Sequence, residues 1–172
     1  MLVRRETVAD VEAIDEVHRR AFAAGLGVGV EPVEVGLVRA LRADPAWAPA
    51  LSLVVEHDGV VVGHVVATRG SLEGGEAVGL GPIGVLPAHQ GAGVGAALMH
   101  AVLGAADALD VAVVVLLGHA GYYPRFGFVP AVELGIVAPD PAWGAHLQAR
   151  PLAAWHADMG GPFRYAAPFD EL

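Results

Sequence analysis

Apolar residues in the first quarter of the chain recur at the spacing of amphipathic helices. Thr7 and Asp10 form the threonine-x-x-acid signal that opens a helix, and apolar positions at helical spacing follow it. The glycines between residues 25 and 29 interrupt this pattern, and Pro32 suits the first turn of a second helix. The pattern predicts a short strand over residues 2–5 and helices over residues 8–23 and 32–43.

Three apolar runs of strand length follow, and turn residues separate them. The first two runs flank His57-Asp58-Gly59, and an Asp-Gly pair between apolar runs is a strong hairpin signal. A second turn is expected at residues 70–75. The sequence therefore predicts an antiparallel meander of strands over residues 51–56, 60–68 and 77–86.

The second half of the chain changes to a strand–helix–strand pattern. Glycines at 91–95 lead into an apolar helical stripe that reaches residue 109. Residues 111–117 are apolar throughout, as in a strand covered on both faces. We therefore expect one crossover spanning residues 77–117. The remaining predicted elements are a helical turn at 121–126, a strand region at 128–137 interrupted at Pro130, a proline-containing connection at 139–151, and weak strands at 152–155 and 163–166.

These elements predict an α/β (α+β) fold with a mixed, mostly antiparallel central sheet flanked by helices. The 172 residues suit a single domain (1–172) with a C-terminal extension from about residue 139, and a chain this long buries roughly 70% of its unfolded surface. The absence of cysteine excludes disulfides, thiolate metal sites and cysteine nucleophiles. No apolar run reaches the ~18 residues of a membrane span, and the N-terminus lacks a signal-peptide pattern. We expect a cytoplasmic protein with no membrane partner.

The charge balance limits the classes of molecule that the protein is expected to bind. The formal net charge is -9, and all ten basic residues are arginine. An acidic surface argues against nucleic acid as a partner and mildly favours a cationic substrate such as an amine, although acidity also keeps an apolar protein soluble. The eight histidines form no pair with metal-ligand spacing, so no metal is predicted.

The segment after the third meander strand carries the most specific chemistry. Residues 90–95 read Gln-Gly-Ala-Gly-Val-Gly and join a strand to a helix. Small residues there bring backbone N–H groups to a helix N-terminus, which favours an anion such as a diphosphate. The alternative is that the glycines only pack a tight strand–helix turn.

Three other phosphate-binding loops do not fit this segment. A Walker loop requires a lysine, and the chain has none. A dinucleotide-binding loop follows the first strand of its fold, whereas this loop follows a meander in mid-chain. A kinase loop requires a His-Arg-Asp segment downstream, which is absent.

Two segments together resemble the GNAT N-acetyltransferase superfamily. Val85-Leu86-Pro87 followed by residues 90–96 resembles its Gln/Arg-x-x-Gly-x-Gly/Ala signature, and residues 122–128, Tyr-Tyr-Pro-Arg-Phe-Gly-Phe, are similar to its aromatic segment after the fifth strand. The opening residues 3–7 are similar to the family's first strand, and residues 161–165 resemble its YhbS-like predicted acetyltransferase subgroup. The resemblance covers nearly the whole chain and implies a GNAT-type sheet.

The resemblance implies a coenzyme A site and a catalytic residue. The backbone of Ile83 and Val85 would pair with the pantetheine arm, Gln90 would shape the loop, and the loop would hold the pyrophosphate. Tyr123 occupies the general-acid position, where its hydroxyl would protonate the leaving thiolate; the alternative is a packing aromatic. The implied coenzyme residues are Ile83, Gly84, Val85, Gln90, Gly91, Ala92, Gly93, Val94, Gly95 and Ala96.

The chain departs from the family pattern at two places. Ala92 stands where the family often has a cationic side chain that neutralises the coenzyme phosphates. Three explanations are open: backbone donors are sufficient, Arg125 or another arginine compensates, or the affinity for the coenzyme is reduced. Gly118-His119 replaces an asparagine that contacts pantetheine in relatives.

The general base is not identified by the sequence. The fourth strand, residues 77–85, has no ionisable group, and its glycines suggest a bulged strand with room for a ligand. Glu76, His64 and His119 are candidates by position, although the histidines also suit partly exposed surface sites.

The expected function is therefore direct transfer from acetyl-CoA to an amine of a small molecule or peptide. A non-catalytic acyl-CoA-binding or regulatory domain is the alternative, and a generic nucleotide-binding domain is a more distant one. The sequence does not decide whether its tryptophans line a substrate site or anchor the core; they are Trp47, Trp143 and Trp155. A homodimer is plausible from the apolar composition.

Overall fold

The computed structural model describes residues 1–171, in which nine strands and three α-helices are joined by short 3-10 turns. The strands are β1 (Leu2–Arg5), β2 (Ser52–His57), β3 (Val60–Glu73), β4 (Ala77–Val85), β5 (Val113–Leu117), β6 (Val129–Pro130), β7 (Ile136–Val137), β8 (Leu147–Pro151) and β9 (Gly160–Arg164). The helices are α1 (Val11–Ala21), α2 (Val33–Ala43) and α3 (Val94–Asp107).

The sheet follows the predicted meander and crossover. Its order is β1-β2-β3-β4-β5-β8-β6, with β9 paired to the end of β3 and to β7. The β1–β4 neighbours are antiparallel, whereas β4 and β5 are parallel and α3 connects them. The mixed, mostly antiparallel α/β fold is confirmed.

Two local signals in the sequence act as predicted. Asp10 accepts hydrogen bonds from the Thr7 backbone N–H at 2.7 Å and the Thr7 hydroxyl at 2.8 Å, and a 3-10 turn leads from there into α1. Asp58 and Gly59 both have positive φ, 50° and 78°, and form the two-residue turn between β2 and β3. Such turns match the natural twist of paired strands.

Three predictions for the C-terminal third of the chain are wrong. The expected connection at 139–151 contains β8, which is antiparallel to β5. The expected strand at 152–155 is a turn, and the region at 128–137 holds only the two-residue strands β6 and β7. The polar pattern of Leu147–Pro151 hides a strand that inserts beside the apolar β5, because tertiary pairing outweighs local preference.

The helices cover both faces of the sheet. α3 packs on one face with the apolar residues of β2, β3 and β4 that point toward it. α1 and α2 cover the other face beside β3, and the chain after β9 continues that layer across β4. Within residues 1–171, no helix is both long and apolar enough to cross a bilayer.

Candidate active site

The two strands of the crossover separate halfway along β4. Residues 77–79 of β4 pair in parallel with residues 113–115 of β5, and within the described chain this pairing goes no further, although β4 continues to Val85. At the separation, Gly81 and Pro82 of β4 face a single residue of β3, which is the bulge that the glycines predicted. The far half of β4 therefore has a free edge beside the end of β5.

A groove of about 230 Å³ lies along this free edge. The end of β4, the glycine loop, the first turn of α3 and the end of α1 form its walls. Five residues that the resemblance implied line it together, and α1 and the segment after β5 add three that the sequence did not indicate. The lining residues are Ile83, Gly84, Val85, Gln90 and Gly95, together with Ala21, Phe22 and Tyr122.

The glycine loop ends at a helix start with unpaired amides. Gly93 precedes α3 with φ of 85°, and a Cβ there would meet nothing within 4 Å, so the backbone conformation rather than crowding requires glycine. The Ala97 N–H donates to the Gly93 carbonyl at 2.9 Å. The amides of residues 94–96 therefore precede the helical ladder and favour an anion.

Gln90 ties the loop to the strand. Its side-chain amide donates to the Val85 carbonyl at 3.1 Å. This bond joins the start of the loop to the end of β4. It also engages the Val85 carbonyl, one of the backbone positions that the resemblance implied for pantetheine.

A positive charge lies beside the groove even though Ala92 brings none. The Arg125 guanidinium lies 4.6 Å from the centroid of the Tyr122 ring, and its Nε donates to the Tyr122 carbonyl at 2.9 Å. Because Tyr122 lines the groove, Arg125 is in a position to replace the missing cation.

Tyr123 lies next to the groove and is half-buried. Its ring packs edge-on against Tyr122, with centroids 5.1 Å apart, and directly against Gly118, where a side chain would collide with it. This contact explains why no asparagine stands at position 118. Burial, reinforced by Tyr122, raises the pKa of the Tyr123 phenol, so the hydroxyl keeps its proton at neutral pH.

Known proteins resemble this chain in amino-acid sequence and in fold. The profile of the acetyltransferase (GNAT) domain matches residues 48–130. The uncharacterized N-acetyltransferase YjhQ of Escherichia coli strain K12 is 37% identical over 138 residues, which cover 77% of this chain and 72% of YjhQ. This chain belongs to the GNAT acetyltransferase family. It is therefore an acyltransferase, as the sequence predicted.

Two solved GNAT structures match over almost the whole chain. YhbS from Escherichia coli, in complex with CoA, is 29% identical with a TM-score of 0.87, and the match covers 98% of this chain and 91% of YhbS. A GNAT family acetyltransferase from Brucella melitensis, in complex with acetyl-CoA, is 34% identical with a TM-score of 0.78, covering 98% and 97%. The predicted GNAT sheet and the likeness to YhbS are confirmed.

Two of the three candidate bases, Glu76 and His119, are not among the residues that line the groove of this GNAT protein. Glu76 precedes β4 and is exposed, about 23 Å of strand from Ile83. His119 is exposed, and its Nδ1 accepts a hydrogen bond from the Gly121 N–H at 3.1 Å. Across residues 1–171, no three histidine, aspartate or glutamate side chains gather as a metal site.

The third candidate, His64, belongs to a buried network that the sequence did not reveal. His64 on β3 pairs with Gly84 on β4, and its Nδ1 lies 2.7 Å from Nε2 of His18 on α1. Its own Nε2 lies 2.9 Å from the Ser52 Oγ and 3.2 Å from Oε2 of Glu6. Both histidine side chains are 0% exposed. The sequence analysis did not identify His18 as part of a network, because nothing in the helical pattern of α1 distinguishes a hydrogen-bonded histidine from another residue that packs in the core.

Arg42 and Ser52 both donate hydrogen bonds to the Glu6 carboxylate of this network. Arg42 donates to Glu6 Oε1 from Nε at 2.7 Å, and the Ser52 hydroxyl donates to Glu6 Oε2 at 2.5 Å. Burial alone would raise the pKa of Glu6, but the hydrogen bonds from His64, Arg42 and Ser52 outweigh it and hold the pKa at about 2. Burial, with smaller contributions from His64 and Arg42, lowers the pKa of His18 to about 3. At neutral pH Glu6 is charged and His18 is neutral.

Acid is expected to destabilise the fold through Glu6 and His18. Folding lowers the pKa of His18 from 6.5 and that of Glu6 from 4.5, so both groups bind protons more readily in the unfolded chain. Their contribution is complete above the unfolded values and is lost as the pH falls. The shift of Glu6 corresponds to about 3 kcal/mol at neutral pH. Urea unfolding should show a free energy that declines below pH 6.5 and falls again below pH 4.5.

Glu6→Gln tests the second decline, with Glu12→Gln as the matched control on an exposed face of α1. We expect Glu6→Gln to make the decline below pH 4.5 shallower, because the contributions of His18 and Asp10 remain, and Glu12→Gln to retain the wild-type slope. A free energy of unfolding that stays constant from pH 7 to pH 3 in the wild-type protein would contradict this assignment.

A larger, aromatic cavity of about 650 Å³ lies on the side of the sheet opposite α3. Trp143, Tyr165 and Phe169 line it, with the carboxylates of Asp140 and Asp170. The Tyr165 ring packs against Gly79, and Phe169 lies 3.9 Å from the position of a Cβ at Gly81. The Tyr165 and Phe169 rings therefore lie between the cavity and β4.

The three tryptophans have different surroundings. Trp143 lines the aromatic cavity, whereas Trp155 packs with the apolar cluster around β5 and β8. Trp47 lies under the Arg42 guanidinium, 5.7 Å from the ring centroid. Of the three, only Trp143 lines the aromatic cavity.

Proposed function

We propose that this GNAT protein transfers the acetyl group of acetyl-CoA directly to an amine of a small molecule or peptide. The observation that carries the proposal is the groove at the free edge of β4, which joins a free strand edge to a helix start with unpaired amides. A pantetheine arm and a pyrophosphate require these two features side by side. The CoA and acetyl-CoA complexes of the two solved relatives support it.

The coenzyme would occupy the groove from the loop toward the bulge. The amides of residues 91–96 would hold the pyrophosphate, and Arg125 would supply the charge that Ala92 lacks. Because Gln90 engages the Val85 carbonyl, we assign the main backbone pairing of pantetheine to Ile83. The thioester would then lie near the bulge, between the end of β5 and the far half of β4.

Tyr123 would act as the general acid. The amine nitrogen forms a bond to the thioester carbonyl carbon, the carbon–sulfur bond breaks, and the sulfur takes the phenolic proton. The nitrogen releases one proton as the amide forms, and the Tyr123 phenolate takes up one proton from solvent, so the enzyme returns to its starting state. The products are the amide and coenzyme A with its free thiol. A phenol whose pKa is raised by burial remains protonated until the thiolate develops, which suits this step.

The acceptor would approach from the aromatic cavity. The cavity lies on the opposite side of the sheet from α3, and Phe169, which lines it, lies 3.9 Å from the position of a Cβ at Gly81 in the bulge. Two carboxylates, Asp140 and Asp170, outnumber the one guanidinium, Arg164, in its lining. This charge and the aromatic rings suit an amine that carries an apolar group. We therefore propose an amine with an aromatic or aliphatic side chain as the acceptor class.

Thiol release over a panel of amines tests the transfer. The panel contains arylalkylamines, alkylamines, polyamines, amino acids and short peptides with acetyl-CoA. We expect coenzyme A to be released fastest with an apolar amine, and mass spectrometry should identify the acetylated amine. Release at the background rate with every class, together with tight binding of acetyl-CoA, would instead support the non-catalytic acyl-CoA-binding alternative, which the absence of an ionisable group on β4 favours.

A further inference from the structure

The Tyr165 hydroxyl is buried and makes no hydrogen bond. Among the described residues, it is one of two buried hydroxyls without a hydrogen-bond partner, and the other belongs to Thr68 on β3. A buried hydroxyl normally has a partner, because it has given up its hydrogen bonds to water. An unpaired one therefore indicates a place where a ligand can supply the missing partner.

The Tyr165 ring is fixed at the point where β4 and β5 separate. It packs directly against Gly79, where a side chain would collide with it, and Gly79 is the last residue of β4 that pairs with β5. Phe163 and Phe169 pack against the same ring, with centroids 4.9 Å and 4.7 Å away. Contacts on several sides therefore hold the ring, and with it the hydroxyl, in one position.

Leu117 lies across from the far half of β4, and its backbone faces that strand. The Gly118 N–H donates to the His146 carbonyl at 2.9 Å, so residue 118 uses its backbone toward β8. Backbone groups alternate between the two edges of a strand, and those of Leu117 therefore point toward β4. β4 has already separated from β5 at this level, which leaves an open gap. This gap between Leu117 and residues 80–85 of β4 is the fork.

The Tyr165 hydroxyl lies at the fork. The Leu117 N–H is close enough to lower the pKa of the phenol, although it completes no hydrogen bond with it, and Tyr123 is close enough to raise that pKa. Burial is the largest influence and raises the pKa, so the hydroxyl keeps its proton at neutral pH. A cavity of about 300 Å³ borders Leu117 and Gly118, so a ligand has room at this end of β5.

We propose that the Tyr165 hydroxyl donates a hydrogen bond to the carbonyl oxygen of the acetyl group, and that it stabilises the negative charge that develops there as the amine attacks. This inference rests on the proposed acetyltransferase function, which places the thioester between the end of β5 and the far half of β4. A carbonyl oxygen only accepts hydrogen bonds, so it is a suitable partner for an unpaired donor.

The two phenols would have separate tasks. Tyr123 gives its proton to the sulfur, whereas Tyr165 keeps its proton and only shares it with the carbonyl oxygen. The atom and charge balance of the transfer is therefore unchanged. A donor that is already in place and shielded from water stabilises such a charge without the cost of rearranging solvent.

The position of the hydroxyl favours the carbonyl over the amine as its partner. Tyr165 lines the aromatic cavity, but its hydroxyl oxygen is buried, so an amine that enters the cavity meets other atoms of Tyr165. The hydroxyl instead faces the fork, where the acyl group would lie. It therefore belongs to the donor side of the reaction.

Tyr165→Phe removes the hydroxyl and keeps the ring against Gly79. We expect kcat for thiol release with the best amine of the panel to fall about 100-fold, which is the scale of one donor to a developing oxyanion. KM for the amine should stay within about twofold of wild type. Thr68→Val is the matched control, because it removes the other unpaired buried hydroxyl on β3, which lies on the opposite side of β4 from β5. It should retain wild-type kcat.

Carbon-13 spectra of bound acetyl-CoA, labelled at the acetyl carbonyl carbon, test the contact without turnover. A hydrogen bond to the carbonyl oxygen draws electron density from this carbon, so its resonance should lie further downfield in wild type and Thr68→Val than in Tyr165→Phe. An equal chemical shift in wild type and Tyr165→Phe would overturn the proposal.

Urea unfolding tests whether the hydroxyl is unpaired within the protein. Because no group in the described part of the chain bonds to it, Tyr165→Phe should unfold at the same urea concentration as wild type or at a higher one. A lower midpoint, or a failure to fold, would show that the hydroxyl has an internal partner, and would overturn the proposal.

The outcomes separate this inference from the proposed function. Wild-type thiol release with equal kcat in Tyr165→Phe would overturn the role of Tyr165 alone. A lower kcat with a raised KM for the amine and no change in the carbon-13 shift would assign the hydroxyl to the acceptor, which also overturns it. Binding of acetyl-CoA without thiol release from any amine would overturn the transfer function and the catalytic role together, while the carbon-13 shift would still decide whether the contact exists.

Discussion

Replacing Tyr123 by phenylalanine should lower kcat by about 100-fold and leave the Kd for acetyl-CoA within about twofold. The phenylalanine ring keeps the contacts with Tyr122, Phe128 and Gly118, and only the hydroxyl is lost. Because the leaving thiolate then has no nearby donor, the loss falls on the chemical step. Steady-state thiol release and calorimetry on the same preparations measure the two quantities.

Tyr122→Phe provides the contrasting variant on the neighbouring ring. The Tyr122 hydroxyl lies 3.3 Å from the position of a Cβ at Gly95, beside the first turn of α3. We expect its removal to weaken acetyl-CoA binding modestly while kcat remains high. Equal kcat in wild type and Tyr123→Phe would reassign Tyr123 to packing against Gly118.

Gly93→Ala should weaken acetyl-CoA binding by more than about tenfold and destabilise the fold by about 1–2 kcal/mol. The φ of 85° at Gly93 lies in the left-handed region, which an alanine occupies at a cost. The loop would relax toward another conformation and would move the amides of residues 94–96 away from the pyrophosphate. Calorimetry with acetyl-CoA and urea unfolding would measure the two effects.

Gly104→Ala is the matched control within the same helix. Gly104 lies inside α3, and a Cβ there would meet nothing within 4 Å. Because glycine weakens a helix interior, this substitution should stabilise the protein by about 0.5–1 kcal/mol and leave acetyl-CoA binding unchanged. Similar affinity losses in Gly93→Ala and Gly104→Ala would show that the loop conformation at Gly93 is not what binds the coenzyme.

Local signals predicted the elements of the fold that depend on near neighbours. The Thr7 capping interaction, the Asp58-Gly59 turn and the crossover through α3 each follow from a few adjacent residues, and each is present. β8 was missed because its strand character comes from pairing with β5, thirty residues earlier in the chain. Pairing over that separation leaves no periodic signal in so short a segment.

In the candidate site, too, the sequence predicted the residues that lie in short motifs and missed those that only the fold brings together. The glycine loop and Tyr123 belong to compact motifs, so the sequence pointed to their chemistry directly. The network of Glu6, His18 and His64 draws on three separated elements, and only the fold brings them within hydrogen-bonding distance. Gly84 appeared in the sequence as part of a bulged strand, whereas the structure shows that it makes room for His18.

The groove also changes the meaning of Ala92. The sequence showed only that a common cation is missing there. The structure places Arg125 over Tyr122 at the groove wall, on a turn that the sequence separates from the loop by about thirty residues. We therefore propose that Arg125, beside the groove wall that Tyr122 forms, supplies the charge for a phosphate-bearing ligand.

The central claim is that the groove at the free edge of β4 binds acetyl-CoA, and isothermal titration of acetyl-CoA into the wild-type protein tests it most directly. We predict one site per chain with a micromolar Kd, competition by coenzyme A and none by ATP. The absence of binding heat at millimolar acetyl-CoA, or displacement by ATP at equal concentration, would contradict the claim.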